Sequence, residues 1–386
     1  MKKLSKEIDN YLSSKNKTYT DLAKEIGVAK STVSNWINKD KELSIYTFSK
    51  ITHVVFTNDK DKQEQKIIEY LKTLDDRLNI NVKVAFALSH LNDYSTLMEQ
   101  IYEMCEENND LEMKRLANIF NLYIERLNGK NIREVYLNIE KARAKNNKKN
   151  YDIEIFCDIL SMLILCDLGD FGLMEGYKIR IEDNIKLVTN VYLKQLYKFW
   201  VKELWSYAVL RKDENLEFER ENRQLRTSKD LNFFPVMEAL LNIRSGENVM
   251  FSDYKKALYF FQEALYVLSG AKSSLKYNIA LNDINFIRIV WWKDLEKVDL
   301  EKLHLAEYAL YLIKLGEFQQ AIYILEQIRL KNGELTPLQT CYMGMAKKDV
   351  QLIKKSIDMF KANNDFLYVK FAEGIYNEYA ESIIYD

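Results

Sequence analysis

Only two prolines and eleven glycines punctuate this chain of 386 residues. Proline removes a link from the helical hydrogen-bond ladder and glycine loosens it. Their scarcity leaves long stretches rich in Leu, Ile, Lys, Glu, Tyr and Asn free to form helices, so an all-α fold is expected. At 47% hydrophobic residues the chain can bury a sizeable core, and its length suits two or three domains.

Within that helical background one stretch has a defined spacing. Thr18–Trp36 reads TYTDLAKEIGVAKSTVSNW. Leu22, Ala23 and Ile26 give the apolar face of a short helix. Gly27 sits where a left-handed turn is needed, and Val28 is the buried residue of that turn. Val33, Trp36 and Ile37 then form the apolar face of a second helix. This is a helix-turn-helix, with Thr20 placed to cap the first helix and Lys30 or Ser31 opening the second. The polar face of the second helix carries Lys30, Ser31, Thr32, Ser34, Asn35, Asn38 and Lys39. Amide and hydroxyl groups of that kind reach base edges in a major groove, as Ser31, Thr32 and Asn35 could, while Lys30 and Lys39 neutralise phosphate. The competing interpretation is an ordinary helical hairpin with a solvated face.

Charge supports the first of these. Residues 1–56 hold ten lysines and no arginine against three Asp and three Glu, a surplus of four positive charges. The whole chain carries −1, so the remainder is acidic by five. A basic head on an acidic body fits a protein that touches DNA at one end. The expected head is residues 1–57, followed by a polar linker at 58–64 and a body over 65–386.

The body reads as amphipathic helices separated by short polar turns, among them 65–74, 82–91, 95–106, 110–127 and 132–141. A break follows at 146–150, and further helices include 236–242, 300–315 and 366–379. Three turns share a pattern: Leu168-Gly169-Asp170-Phe171, Phe251-Ser252-Asp253-Tyr254 and Leu315-Gly316-Glu317-Phe318. Ala257 and Ala321 stand three residues after the last two aromatics, the small-into-large packing of tetratricopeptide hairpins. A right-handed superhelix of degenerate hairpins of that type is therefore expected, with an extended concave surface suited to a peptide.

Enzymatic signatures are missing: there is no glycine-rich phosphate loop, nucleophile elbow or His-Glu metal motif. Cys105, Cys157, Cys166 and Cys341 are scattered, as are His53, His90 and His304, so neither a metal nor another cofactor is expected. No apolar run nears the roughly 20 residues that span a bilayer, and a cytoplasmic location in a bacterial host is expected.

The stretches FSDYKKALYFFQEAL (Phe251–Leu265), YLIKLGEFQQAIYILEQI (Tyr311–Ile328), NGEL (Asn332–Leu335) and SIDMFKANNDFL (Ser356–Leu367) carry a resemblance. With the helix-turn-helix they make the chain similar to the AimR family of arbitrium receptors of Bacillus phages, within the wider group of helix-turn-helix tetratricopeptide pheromone receptors. The resemblance implies a homodimer that binds double-stranded operator DNA and activates a lysogeny-control gene. It also implies that a secreted peptide of about six residues, containing an arginine, enters the repeats and switches the receptor off.

Carried onto this sequence, the acids that grip the peptide arginine fall on Glu307 and Asp365. Tyr207 and Arg211 replace inner-face asparagines. The arginine that holds the peptide carboxylate falls on Phe233 and Phe234, leaving Arg211 or Arg244 for that role and Asn242 or Asn248 for the peptide backbone. Phe366 adjoins Asp365. The family pairs through its C-terminal tail, which here reads AESIIYD. The alternative function is a protein-sequestering adaptor whose N-terminal bundle does not read DNA.

Overall fold

The computed structural model describes residues 2–74, 78–146, 150–272 and 274–385. Four helices build the head: α1 (Lys2–Ser14), α2 (Tyr19–Ile26), α3 (Lys30–Lys39) and α4 (Ile45–Val55). Next come α5 (Lys60–Leu71), α6 (Leu78–Asn92), α7 (Ser95–Glu107), α8 (Leu111–Leu127), α9 (Ile132–Ala144) and α10 (Tyr151–Leu168). They lead into α11 (Met174–Leu187), α12 (Val191–Arg211), α13 (Asn215–Arg226), α14 (Pro235–Val249) and α15 (Tyr254–Val267). The chain closes with α16 (Leu275–Trp291), α17 (Leu305–Leu315), α18 (Phe318–Asn332), α19 (Pro337–Lys347), α20 (Val350–Ala362) and α21 (Phe366–Tyr385). No strand occurs among the described residues.

The head forms for the reasons its sequence suggests, with one change at the cap. Thr18, not Thr20, begins α2: its hydroxyl accepts from the Asp21 amide while the Asp21 carboxylate accepts from the Thr18 amide at 2.8 Å. A reciprocal cap needs an acid or amide three residues on. Thr18 has Asp21 there, whereas Thr20 has Ala23. Gly27 closes the helix at φ 74°, and the Val28 amide donates to the Ala23 carbonyl at 2.9 Å. Val28 itself is half-buried. Trp36, fully buried, meets Phe48 edge-on, and Phe48 stacks on Tyr70 with ring centroids 4.0 Å apart.

Tyr70 belongs to α5, so the hydrophobic core runs without a gap from head into body. Its hydroxyl accepts from the Leu43 amide and donates to the Leu43 carbonyl. The stretch 58–64 is accordingly not a free linker. Asp59 caps α5, whose helix starts at Lys60, and Gln63 donates to the Phe56 carbonyl while accepting from Tyr94. Polar residues that read as a solvated linker are here a helix cap and a buried hydrogen-bond bridge.

Neighbouring helices pair as hairpins that stack in order, and the expected turns recur. Gly169 and Gly316 adopt φ 68° and 84° at the ends of α10 and α17, and Asp253 caps α15. Ala257 and Ala321 are fully buried. Gly246 makes the closest approach: a β-carbon there would lie 2.5 Å from the Phe261 ring of α15. Pro337 occupies the first turn of α19 behind a Thr336–Gln339 capping box.

Several element bounds differ from expectation, α5 at Lys60–Leu71 and α6 at Leu78–Asn92 among them. Helix α14 runs on to Val249 through Arg244, Ser245 and Glu247, polar residues that line an interior face. Helix α17 starts only at Leu305, because His304 caps it. Helix α12 spans 21 residues that carry no helical signature of their own in the sequence. It is buried against α6, α10, α11, α13, α14 and α21, so it lacks a one-sided apolar stripe. Finally, α21 continues beyond Tyr379 to Tyr385. Positions 147–149 of the expected break, and the side chains of the AESIIYD tail from Ser382 on, lie outside the described residues.

Candidate functional site

Three regions stand out, two of them carrying the sequence-selected side chains, and α12 touches two of the three. On the head, α3 presents Lys30, Ser31, Asn38 and Lys39 to solvent, with Thr32, Ser34 and Asn35 half-buried. Thr20 is also half-buried, inside α2. The Asn38 amide donates to the Ser34 hydroxyl at 3.3 Å. Lys30 and Lys39 form no ion pair among the described residues, so both ammonium groups are available to an outside anion.

The second region joins head to body and was not singled out in the sequence. The Asp230 carboxylate, in the turn before α14, accepts from the Tyr46 hydroxyl at 2.7 Å and from the Lys50 ammonium, both on α4. It also accepts from Gln195 at the start of α12. The Lys50 ammonium lies 4.8 and 4.9 Å above the Tyr46 and Phe233 rings, and Tyr46 stacks on Tyr192 of α12. Burial, then the bond to Asp230, raises the Tyr46 pKa. His53 of α4 meets Phe233 edge-on, and burial lowers its pKa. Nothing in the TSKDLN turn marks Asp230, because its partners are far away in the chain.

The third region is the inner wall of the repeats. Arg211, at the end of α12, forks the Asp365 carboxylate, with Nε to Oδ1 at 2.9 Å and Nη2 to Oδ2. Its Nη1 donates to the Tyr207 hydroxyl at 2.6 Å. The Phe171, Tyr207 and Tyr368 rings surround the guanidinium. Arg244 of α14 lies 3.4 Å over the opposite partner of that bond, the Tyr207 ring, and donates to Glu247 at 3.0 Å. The guanidinium fork that the sequence assigned to a ligand is thus already made to Asp365 by the chain's own Arg211.

Tyr207, Arg211, Arg244 and Asp365 therefore come together, and other candidates do not join them directly. Asn242 accepts from Arg226 of α13 at 2.9 Å. Asn248 reaches Glu219 and lines an outer groove with Phe251, Trp291 and Lys370. Phe366 is partly exposed, and Glu307 of α17 pairs with His304 at 2.8 Å. That hydrogen bond raises the His304 pKa. All four thiols are pushed up to about 12 by burial, so they stay protonated at neutral pH. Among the described residues no group of His, Cys, Asp and Glu is arranged to hold a metal ion, and no helix is long and apolar enough to cross a membrane.

A helix-turn-helix set on a body of stacked helical hairpins defines a DNA-binding transcriptional regulator. A helix-turn-helix family model matches residues 11–56, and the model for the AimR transcriptional regulator-like family matches 63–372. The chain belongs to the AimR-like family. An uncharacterised protein of Bacillus anthracis is 29% identical over 239 residues, covering 60% of this chain and 87% of that one. Among solved structures, phAimR with a ligand aligns at a TM-score of 0.70 and 18% identity, covering 86% of this chain and 96% of that one. Selenomethionine-labelled phAimR aligns at 0.66 and 19% identity, covering 98% and 97%.

Proposed function

We propose that this chain is a peptide-responsive transcriptional regulator. As a homodimer it binds operator DNA through α3 and activates a lysogeny-control gene. A short secreted peptide containing arginine enters the repeats and inactivates it. The observation that carries this reading is the reach of α12, a single helix with a foot in two regions. Tyr192 and Gln195 meet the head junction at one end, and Tyr207 and Arg211 build the inner wall at the other. Gln195 and Arg211 are sixteen positions apart, about 24 Å along a helix. A ligand that moves the wall by binding one arrangement of it better than another shifts α12 and, with it, the seat of the head. That phAimR has been solved with a ligand supports a ligand-bound state in this family.

DNA reading is tested first. A random-duplex selection on the purified chain should enrich a pseudo-palindromic site, and that preference should disappear in the Lys30→Ala, Asn35→Ala double variant. Failure to enrich any site would favour the protein-sequestering adaptor.

A further inference from the structure

Helix α16 passes along the inner wall and presents two ionisable side chains that neither the sequence reading nor the contacts described so far account for. Lys276 and Asp283 stand seven positions apart, hence on one face of the helix, with Ile279 and Ala280 between them. The rise of a helix puts them about 10 Å apart. Both are half-buried.

Most of the charges around each are already engaged; Glu203 Oε1, near Lys276, is the exception, buried without a hydrogen-bond partner. Around Lys276 are Arg126, Arg244, Glu203 and Asp93. Arg126 forks Asp167, Asp93 accepts from Ser274, and Arg244 is paired with Glu247 and lies 3.9 Å from Glu203. Around Asp283 are Glu247, Arg244, Glu307 and Arg211. Glu247 is held by Arg244, Glu307 by His304 and Arg211 by Asp365. Among the described residues the side chains of Lys276 and Asp283 make no hydrogen bond or ion pair, and Asp283 Oδ2 is buried without a partner.

An acid and a base left unpaired inside a protein cost free energy in their charged forms, so a wall that keeps one of each at a fixed spacing is a mark of a site. The surroundings agree. Burial, with Glu247 and Glu307, lifts the Asp283 pKa, and burial, with two arginines, lowers that of Lys276. An incoming pair of opposite charges would relieve both.

We infer that Lys276 and Asp283 are the two poles of the ligand subsite: Lys276 receives an anionic group and Asp283 a guanidinium or ammonium. The ligand is then an extended, dipolar peptide whose opposite charges are separated by about three residues, since an extended chain advances about 3.3 Å per residue. Its anion is a terminal carboxylate or an acidic side chain. This assignment rests on the peptide-responsive reading above and adds the two residues that set which peptides fit.

The probe is a soluble synthetic hexapeptide library with free ends, equilibrated with the full chain and read by mass spectrometry of what is retained. Retained peptides should carry Arg or Lys two to four residues before a carboxylate. The best of them, resynthesised, is then measured by calorimetry on the wild type, Lys276→Gln and Asp283→Asn, both near-isosteric changes at unpaired groups. Lys276→Gln should weaken the peptide at least tenfold, and neutralising the peptide's own anion should cost that variant little more. Asp283→Asn should behave the same way towards neutralisation of the peptide's cation. If both variants bind it within twofold of wild type, the subsite lies elsewhere while the peptide reading stands. If the wild type retains no peptide at all, both fall together.

Discussion

Replacing Asp230 by Asn tests whether the head is latched to the body by a buried charge. The side chains of Asp230 and Lys50 are 14% and 11% exposed, so the pair is shielded from water. Asparagine keeps the shape and can still accept from Tyr46 or Gln195, but it leaves the Lys50 ammonium without its counter-charge. The Tyr46 and Phe233 faces retain part of the stabilisation. A hydrogen bond to a charged group contributes about 1.5–3 kcal/mol, and breaking a buried pair costs about 3–5 kcal/mol. With the rings remaining, about 2–4 kcal/mol is expected. At 1.4 kcal/mol per factor of ten, amide exchange in α4 should accelerate by about thirty-fold to a thousand-fold in the subglobal regime. Exchange in α19 and α20, far from the junction in the stacking order, should not change. The Asp230→Asn, Lys50→Met double variant should be more protected than Asp230→Asn alone, because no lone charge is left behind. Exchange in α4 within threefold of wild type, or equal acceleration in α20, would refute the latch.

Other expectations follow from the same structure. Lys30→Ala should weaken binding to any duplex and lower the slope of log affinity against log salt by about one, while Asn35→Ala should cost about 1–3 kcal/mol on the selected site only. Gly246→Ala should lower the thermal midpoint: about 1 kcal/mol gained in helix propensity is outweighed by about 1–3 kcal/mol of overpacking against Phe261. His53 and His90 are held below the ordinary histidine range by burial, so the unfolded chain binds more protons than the folded one under acid. The contribution of these two histidines should therefore be full above about pH 6.5 and fall as pH drops below it, as followed by circular dichroism, and His53→Phe should flatten the part that belongs to the head; His304, whose pKa is raised by Glu307, works in the opposite direction.

The head was legible because a helix-turn-helix is a local code. Leu22, Ala23, Ile26, Gly27, Val33 and Trp36 lie within fifteen residues and each answers a local demand. Its one misplacement, Thr20 for Thr18, came from weighing the cap residue without the acid three positions later. The turn glycines Gly169 and Gly316 were legible for the same reason, since a left-handed backbone is a property of the residue itself. Helix α12 was hard to read because burial on many sides erases the stripe that betrays an amphipathic helix. The stretch 58–64 misled because charged caps and loop residues have one composition. At the inner wall the sequence supplied the participants and withheld the pairing: Arg211 and Asp365 are separated by 154 positions. Lys276 and Asp283 on α16 look like an ordinary solvated face until the fold turns that face inward.

The central claim is that a peptide held by the repeats resets the head on DNA. Its most direct measurement is fluorescence anisotropy of the selected duplex bound to the full chain, titrated with the library-derived peptide. Release of the duplex at peptide concentrations that saturate the body is expected, with the midpoint of release in Asp283→Asn shifted to at least tenfold higher peptide. A duplex that stays bound at the same affinity while calorimetry shows the peptide fully bound would contradict the coupling.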